Sequence, residues 1–252
     1  MLKKRIIPSL LLKDGRVVKS IRFGNYRDTG HPNTAARVYD AQRVDELVVL
    51  DISASSEKRK ILFEIVAKMA EECFMPLCTG GGIRSIEDMQ ILLRNGADKI
   101  AINTAAVEVE GLIAEAAQKF GSSTIVVSID AKKDPDGTYK VWTHGGTVET
   151  GLDPVAWAKE AAARGAGEIF LTSIDRDGTM EGLDIPLIQS VVKAVPIPVI
   201  AAGGIGSLED MLNGLEVAGA DAVSAASIFH FTDQSPIKAR KYLVDHGAHV
   251  RS

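Results

Sequence analysis

Gly81-Gly82-Ile83-Arg84-Ser85-Ile86-Glu87-Asp88-Met89 returns as Gly203-Gly204-Ile205-Gly206-Ser207-Leu208-Glu209-Asp210-Met211, an offset of 122 residues in a chain of 252. Asn95-Gly96-Ala97-Asp98 likewise returns as Ala218-Gly219-Ala220-Asp221, with Asp98 and Asp221 separated by 123 residues. The match therefore persists through loop, helix and the approach to the next strand. Two copies of one structural unit are the simplest account of self-similarity at half the chain length. The expected halves run over about 1–120 and 121–252, within one domain spanning 1–252.

Outward from this repeat, short runs rich in Ile and Val alternate with helical patterns, which predicts parallel strands joined by helices. Eight such runs are present: Ile6 to Leu12, Leu47 to Ile52, Pro76 to Thr79, Lys99 to Asn103, Thr124 to Asp130, Glu168 to Ser173, Pro198 to Ala202 and Ala222 to Ala226. Continuous apolar strands of this kind are buried on both faces. Ser85 and Ser207 stand as N-caps of amphipathic helices, each followed by acidic residues in the first turn. Eight strands, eight helical connections and about 250 residues predict an α/β fold, a (β/α)8 TIM barrel with an internal two-fold half-barrel repeat.

Each copied Gly-Gly falls between a strand and a helix, where backbone N–H groups and the helix dipole favour an anion. The plainer reading is that the glycines relieve crowding at a tight turn. Duplication, together with small polar residues after the following strand (Asn103-Thr104 and Ala226-Ser227), favours two phosphate sites. They comprise Gly81, Gly82, Asn103 and Thr104 in one half, and Gly203, Gly204, Ala226 and Ser227 in the other, joined by Asp177 and Gly178. A half-barrel rotation sets such sites across the barrel mouth from each other, which suits a ligand with a phosphate at each end. Residues 13–30 are too long for an ordinary βα turn. Asp14-Gly15 predicts a hairpin there. With Arg16, Lys19, Arg22 and Arg27 the excursion reads as a basic lid, Lys19 foremost, or simply as a structural insertion.

With 29 Lys and Arg against 33 Asp and Glu, the net charge of −4 offers no basic footprint for nucleic acid. Pro8 and Lys13-Asp14-Gly15 interrupt the N-terminal apolar run, and no segment has the roughly 18 apolar residues of a membrane span. A cytoplasmic location without membrane contact is expected. Cys73 and Cys78 lack a second Cys or His pair at ligand spacing, so they read as core thiols; no metal and no cofactor are expected.

Arg5-Ile6-Ile7-Pro8, Lys13-Asp14-Gly15-Arg16-Val17-Val18-Lys19, Leu50-Asp51-Ile52, Gly80 to Ser85, Ile102-Asn103-Thr104-Ala105-Ala106, Thr143-His144-Gly145-Gly146, Thr172 to Thr179 and Phe229-His230-Phe231 fall in order along nearly the whole chain. Together they closely resemble the cyclase subunit of imidazole glycerol phosphate synthase. The resemblance implies a barrel that takes ammonia from a glutaminase partner in a heterodimer. With it, the barrel cleaves and cyclises a linear bisphosphate, phosphoribulosyl-formimino aminoimidazole carboxamide ribotide. It also implies an acid/base pair of aspartates at the ends of the first and fifth strands.

Asp130 matches one aspartate of that pair; Leu11 stands where the family has the other. The repeat makes the same point independently, since aligning Ser9 with Ser128 sets Leu11 opposite Asp130. Asp14, Asp51 and Asp175 are possible substitutes between which the sequence does not choose. Arg5, Glu46, Lys99 and Glu168 each open a strand, so two bases and two acids should cluster at the N-terminal mouth, either in a ring or as solvated strand ends. The resemblance makes such a ring an ammonia gate and assigns Asp98 to the glutaminase interface.

An intact gate with a lost carboxylate resembles specialised paralogues that pass ammonia to an amidotransferase in acetamidino sugar biosynthesis, and that is the expected function. Cys73-Phe74-Met75-Pro76-Leu77-Cys78 points the same way. A genuine cyclase of histidine biosynthesis is the alternative. A sister isomerase barrel and a non-catalytic scaffold follow it.

Overall fold

The computed structural model describes residues 3–54 and 63–251. In the first half β1 (Arg5–Lys13) leads into a hairpin of β2 (Arg16–Ile21) and β3 (Gly24–Gly30). Then come α1 (Pro32–Ala41), β4 (Leu47–Asp51), α2 (Phe63–Glu72), β5 (Leu77–Gly80), α3 (Ile86–Arg94), β6 (Lys99–Ile102), α4 (Thr104–Glu108) and α5 (Leu112–Phe120). The second half repeats the plan, with β7 (Ile125–Lys133) followed by a hairpin of β8 (Tyr139–Thr143) and β9 (Val148–Glu149). It continues through α6 (Pro154–Ala163), β10 (Glu168–Ser173), α7 (Ile185–Val192), β11 (Val199–Ala202), α8 (Leu208–Leu212), β12 (Ala222–Ala225), α9 (Ser227–Phe231) and α10 (Pro236–Asp245).

Parallel pairing runs β1-β4-β5-β6-β7-β10-β11-β12 and returns from β12 to β1, so eight strands close a (β/α)8 barrel. The two halves are in the same register: Leu11 pairs with Leu50 of β4 as Asp130 pairs with Thr172 of β10. Alternation along a strand decides which side chains meet the helices and which meet the barrel axis. Leu10 and Leu12 are buried with Ala36, Tyr39 and Met69 under α1 and α2, whereas Ile7 packs with the interior cluster. That cluster draws on every barrel strand, through Ile7, Val48, Cys78, Ala101, Val126, Phe170, Ile200 with Ala202, and Ala222. It forms an apolar layer of the kind that fills such barrels. Cys73 and Cys78 are both buried free thiols.

Strand limits differ from the sequence reading by a few residues, most at the fifth barrel strand, which runs to Lys133 rather than Asp130. The hairpin of β8 and β9 was not expected. It forms by antiparallel pairing of residues 130–133 with residues 139–142, where Ala131 and Val141 are buried but alternate with polar residues, so no continuous apolar run marks the strand. Among the described residues no helix is long and apolar enough to cross a membrane.

Candidate functional site

At the C-terminal ends of the strands lies a cavity lined by both halves. Gly81, Gly82, Asn103 and Thr104 reach it from the first half, and Asp130, Asp177, Gly178, Gly203, Gly204, Ala226 and Ser227 from the second. Lys19 enters from the first hairpin. Leu11 lines it as well, half-buried between the fully packed Leu10 and Leu12. An apolar side chain therefore faces the cavity at the position that repeats Asp130.

The glycine loops are duplicated in geometry. A β-carbon on Gly81 would stand 2.1 Å from the Asp51 carbonyl oxygen, and one on Gly203 2.7 Å from that of Ser173, both at positive φ. Crowding thus accounts for these two glycines, as the plainer reading had it. The helices that follow, α3 and α8, are not the anion donors expected. Ser85 and Ser207 cap them, and Asp88 and Asp210 take the N–H groups of Arg84 and of Gly206 and Ser207. Helix N-termini without a side-chain cap, among the described residues that line the cavity, are those of α4 and α9, after Asn103 and Ala226. Each candidate anion site is therefore a glycine loop facing the open N-terminus of the next short helix. Thr104 Oγ1 accepts the His144 N–H at 3.0 Å, tying the first of these helices to the β8–β9 turn.

Asp130 receives the Asn103 side-chain N–H on Oδ2 at 2.9 Å. Burial pushes its carboxyl up to about 7, the negative charge of Asp177 adds to this, and a hydrogen bond from Thr172 opposes it. Near neutral pH the group is poised to give or take a proton.

The first hairpin folds down over the cavity. Asp14 and Gly15 both adopt positive φ in its two-residue turn, as Asp-Gly predicts. At the next turn Arg22 and Phe23 do the same without glycine, at a cost of about 1–2 kcal/mol each. Holding them there, Arg22 donates its N–H to the Asp177 carbonyl at 2.8 Å and its Nε to the Asp175 carbonyl at 3.1 Å. Phe23 lies against Gly146 of the second hairpin, so the two excursions meet over the mouth. Lys19 Nζ donates to Asp177 Oδ1 at 2.9 Å and Oδ2 at 3.0 Å, and Ser20 Oγ to Oδ2 at 3.2 Å, all buried. Asp177, expected beside the second phosphate, is thus engaged by the hairpin. Its carboxylate accepts rather than donates, and its own N–H is spent on the Ser173 carbonyl at 2.9 Å. Gly178 packs on the Ser20 backbone too closely for any β-carbon.

At the opposite end, Arg5, Glu46, Lys99 and Glu168 form a closed alternating ring. Arg5 reaches Glu46 at 3.0 Å and Glu168 at 2.9 Å; Lys99 reaches them at 2.7 and 2.9 Å. Burial opposes the charge of Arg5, and Glu168 and Glu46 outweigh it, holding the guanidinium above its ordinary value. The charges are enclosed, not solvated strand ends.

Asp98 is exposed, and its Oδ2 accepts the Leu77 N–H at 2.8 Å, as Asp221 accepts that of Val199 at 3.0 Å. The repeated aspartate thus closes the start of the preceding strand. Of the possible substitutes for the missing carboxylate, Asp14 is in the hairpin turn and Asp175 binds the Lys133 N–H outside this cavity. Asp51 lines the cavity but turns Oδ1 back to the N–H groups of Ser53 and Ala54. Phe74, ahead of the start of β5, is 92% exposed.

A family model described as histidine biosynthesis protein matches residues 5–235. The protein named imidazole glycerol phosphate synthase subunit HisF in Hyphomonas neptunium is 54% identical over 252 residues, covering 100% of both chains. Proteins of the same name from two strains of Caulobacter vibrioides are 52% identical over 252 residues, covering 100% of this chain and 97% of theirs. Relatives bearing that name lend no support to the expected acetamidino sugar paralogue.

Proposed function

Since the chain belongs to the histidine biosynthesis protein family, we propose that it is the cyclase subunit of an imidazole glycerol phosphate synthase, a barrel that uses ammonia to cleave and cyclise a bisphosphate. The observation that carries this reading is Asp130, poised near neutrality in a cavity into which both copies of the glycine loop open. One phosphate of the ligand sits at Gly81, Gly82, Asn103 and Thr104, the other at Gly178, Gly203, Gly204, Ala226 and Ser227. Lys19 closes over them from the lid. Ammonia enters through the ring of Arg5, Glu46, Lys99 and Glu168. Neutral ammonia crosses the apolar layer around Cys78 and Ala101 at little desolvation cost, whereas an ion does not.

A glutaminase docks on the face around the ring, against Asp98 and Phe74. Phe74→Ser is expected to weaken that complex about 30-fold, the effect of losing an aromatic anchor of about 2 kcal/mol, without altering the melting temperature of the isolated barrel. Calorimetric titration of the glutaminase subunit checks it, and unchanged affinity removes Phe74 from the interface.

One observation favours a second reading, in which the barrel passes ammonia on to an amidotransferase and cyclises poorly: Leu11 cannot exchange a proton. Turnover of the bisphosphate with ammonium chloride, without glutaminase, separates the two. Measurable turnover supports the cyclase, and Leu11→Asp is expected to raise it about tenfold by setting a carboxylate on the strand end itself. Binding without any turnover, in wild type and Leu11→Asp alike, overturns it.

A further inference from the structure

We infer that Asp177 supplies the second carboxylate of the acid/base pair in this chain, in place of the one that Leu11 lacks. The inference rests on the cyclase reading above and identifies how that site works without the usual aspartate.

Asp177 follows β10, the strand that pairs with β7 at Thr172 and Asp130. Its carboxylate is taken up by Lys19 and Ser20 of β2, and β2 pairs with β1 through Val18 and Leu11. The side chain thus bridges from the Asp130 side of the mouth to the hairpin rooted on the Leu11 strand. It lines the same cavity as both residues. Asp177 also lies close enough for its charge to hold the Asp130 proton in place. Two carboxyl groups opening into one cavity from opposite strands are what such an acid/base assignment requires.

The step balances as follows. Ammonia adds its lone pair to the ribulosyl ketone carbon, forming the C–N bond. The carbonyl π pair moves to oxygen, which takes the proton of neutral Asp130. The nitrogen sheds one proton to ionised Asp177, leaving a neutral carbinolamine. A phosphate drawing Lys19 and the lid strand toward itself frees Asp177 for this task.

Asp177→Asn, assayed with ammonium chloride and the bisphosphate, is expected to lower kcat at least about 10²-fold while KM stays within a few-fold. Leu11→Asp in the Asp177→Asn background should recover much of that loss. A role confined to anchoring Lys19 would instead raise KM, and a carboxylate at position 11 would not repair it. Unchanged kcat, or a loss that Leu11→Asp does not rescue in a protein that still binds the bisphosphate, overturns the inference and leaves the cyclase reading standing. A wild-type chain that binds the bisphosphate without turning it over overturns the inference, and if Leu11→Asp is equally inactive it overturns the cyclase reading as well.

Discussion

Asp130→Asn is expected to lower ammonia-dependent turnover by about 10²- to 10⁴-fold, with bisphosphate binding held within a few-fold. The amide keeps the shape and the contact with Asn103 but neither gives nor takes the proton. The same variant should gain stability at high pH. In the folded chain the Asp130 carboxyl titrates at about 7 against an ordinary 3.8, so the folded state holds the proton more tightly than the unfolded one. Wild-type stability then falls as pH rises from about 4 to 7, because the ionised group is disfavoured where it sits. The asparagine variant escapes this, matching wild type below pH 4 and exceeding it above pH 7 by on the order of 4 kcal/mol. Thermal melts across pH 4–8, paired with kinetics at pH 7.5, test both halves. Retained turnover removes Asp130 from the chemistry, and melting curves that stay parallel at every pH remove the raised proton affinity.

Glu46→Ala is expected to cost about 3–5 kcal/mol, roughly 10 °C in melting temperature for a domain of this size. Glu46 is 2% exposed and binds both Arg5 and Lys99. Its loss leaves two cations sharing Glu168 in an enclosed site. Replacing all four members by apolar residues of similar volume should cost far less than this single change, since no charge is then left without a partner. A loss below about 1 kcal/mol for Glu46→Ala would mean that water already solvates the ring.

How much of this was legible in sequence differs by residue. The repeated glycine segments, the Ile- and Val-rich runs and Ser85 and Ser207 sufficed for the barrel and its caps, because strand and helix periodicity are local properties of the chain. Arg5, Glu46, Lys99 and Glu168 could be grouped because all open strands of one closed sheet, so alignment by strand places them at one end. Glycine loops were misread in part: the N–H groups of α3 and α8 go to Asp88 and Asp210, and the open helix ends lie one strand further on.

The sequence by itself determined the barrel, its two-fold plan, the retained Asp130 and the leucine at position 11. Tertiary structure alone decided that Lys19 grips Asp177, a contact across 158 positions, and that this pair lines one cavity with Leu11 and Asp130. It also decided that Phe23 meets Gly146 and that the Asp177 N–H goes to the Ser173 carbonyl. The reason is physical. A strand pattern reports which face a residue takes, but the partner of a loop carboxylate depends on how far a hairpin folds across the mouth. That angle is set only when the ring of eight strands has closed and brought both halves together.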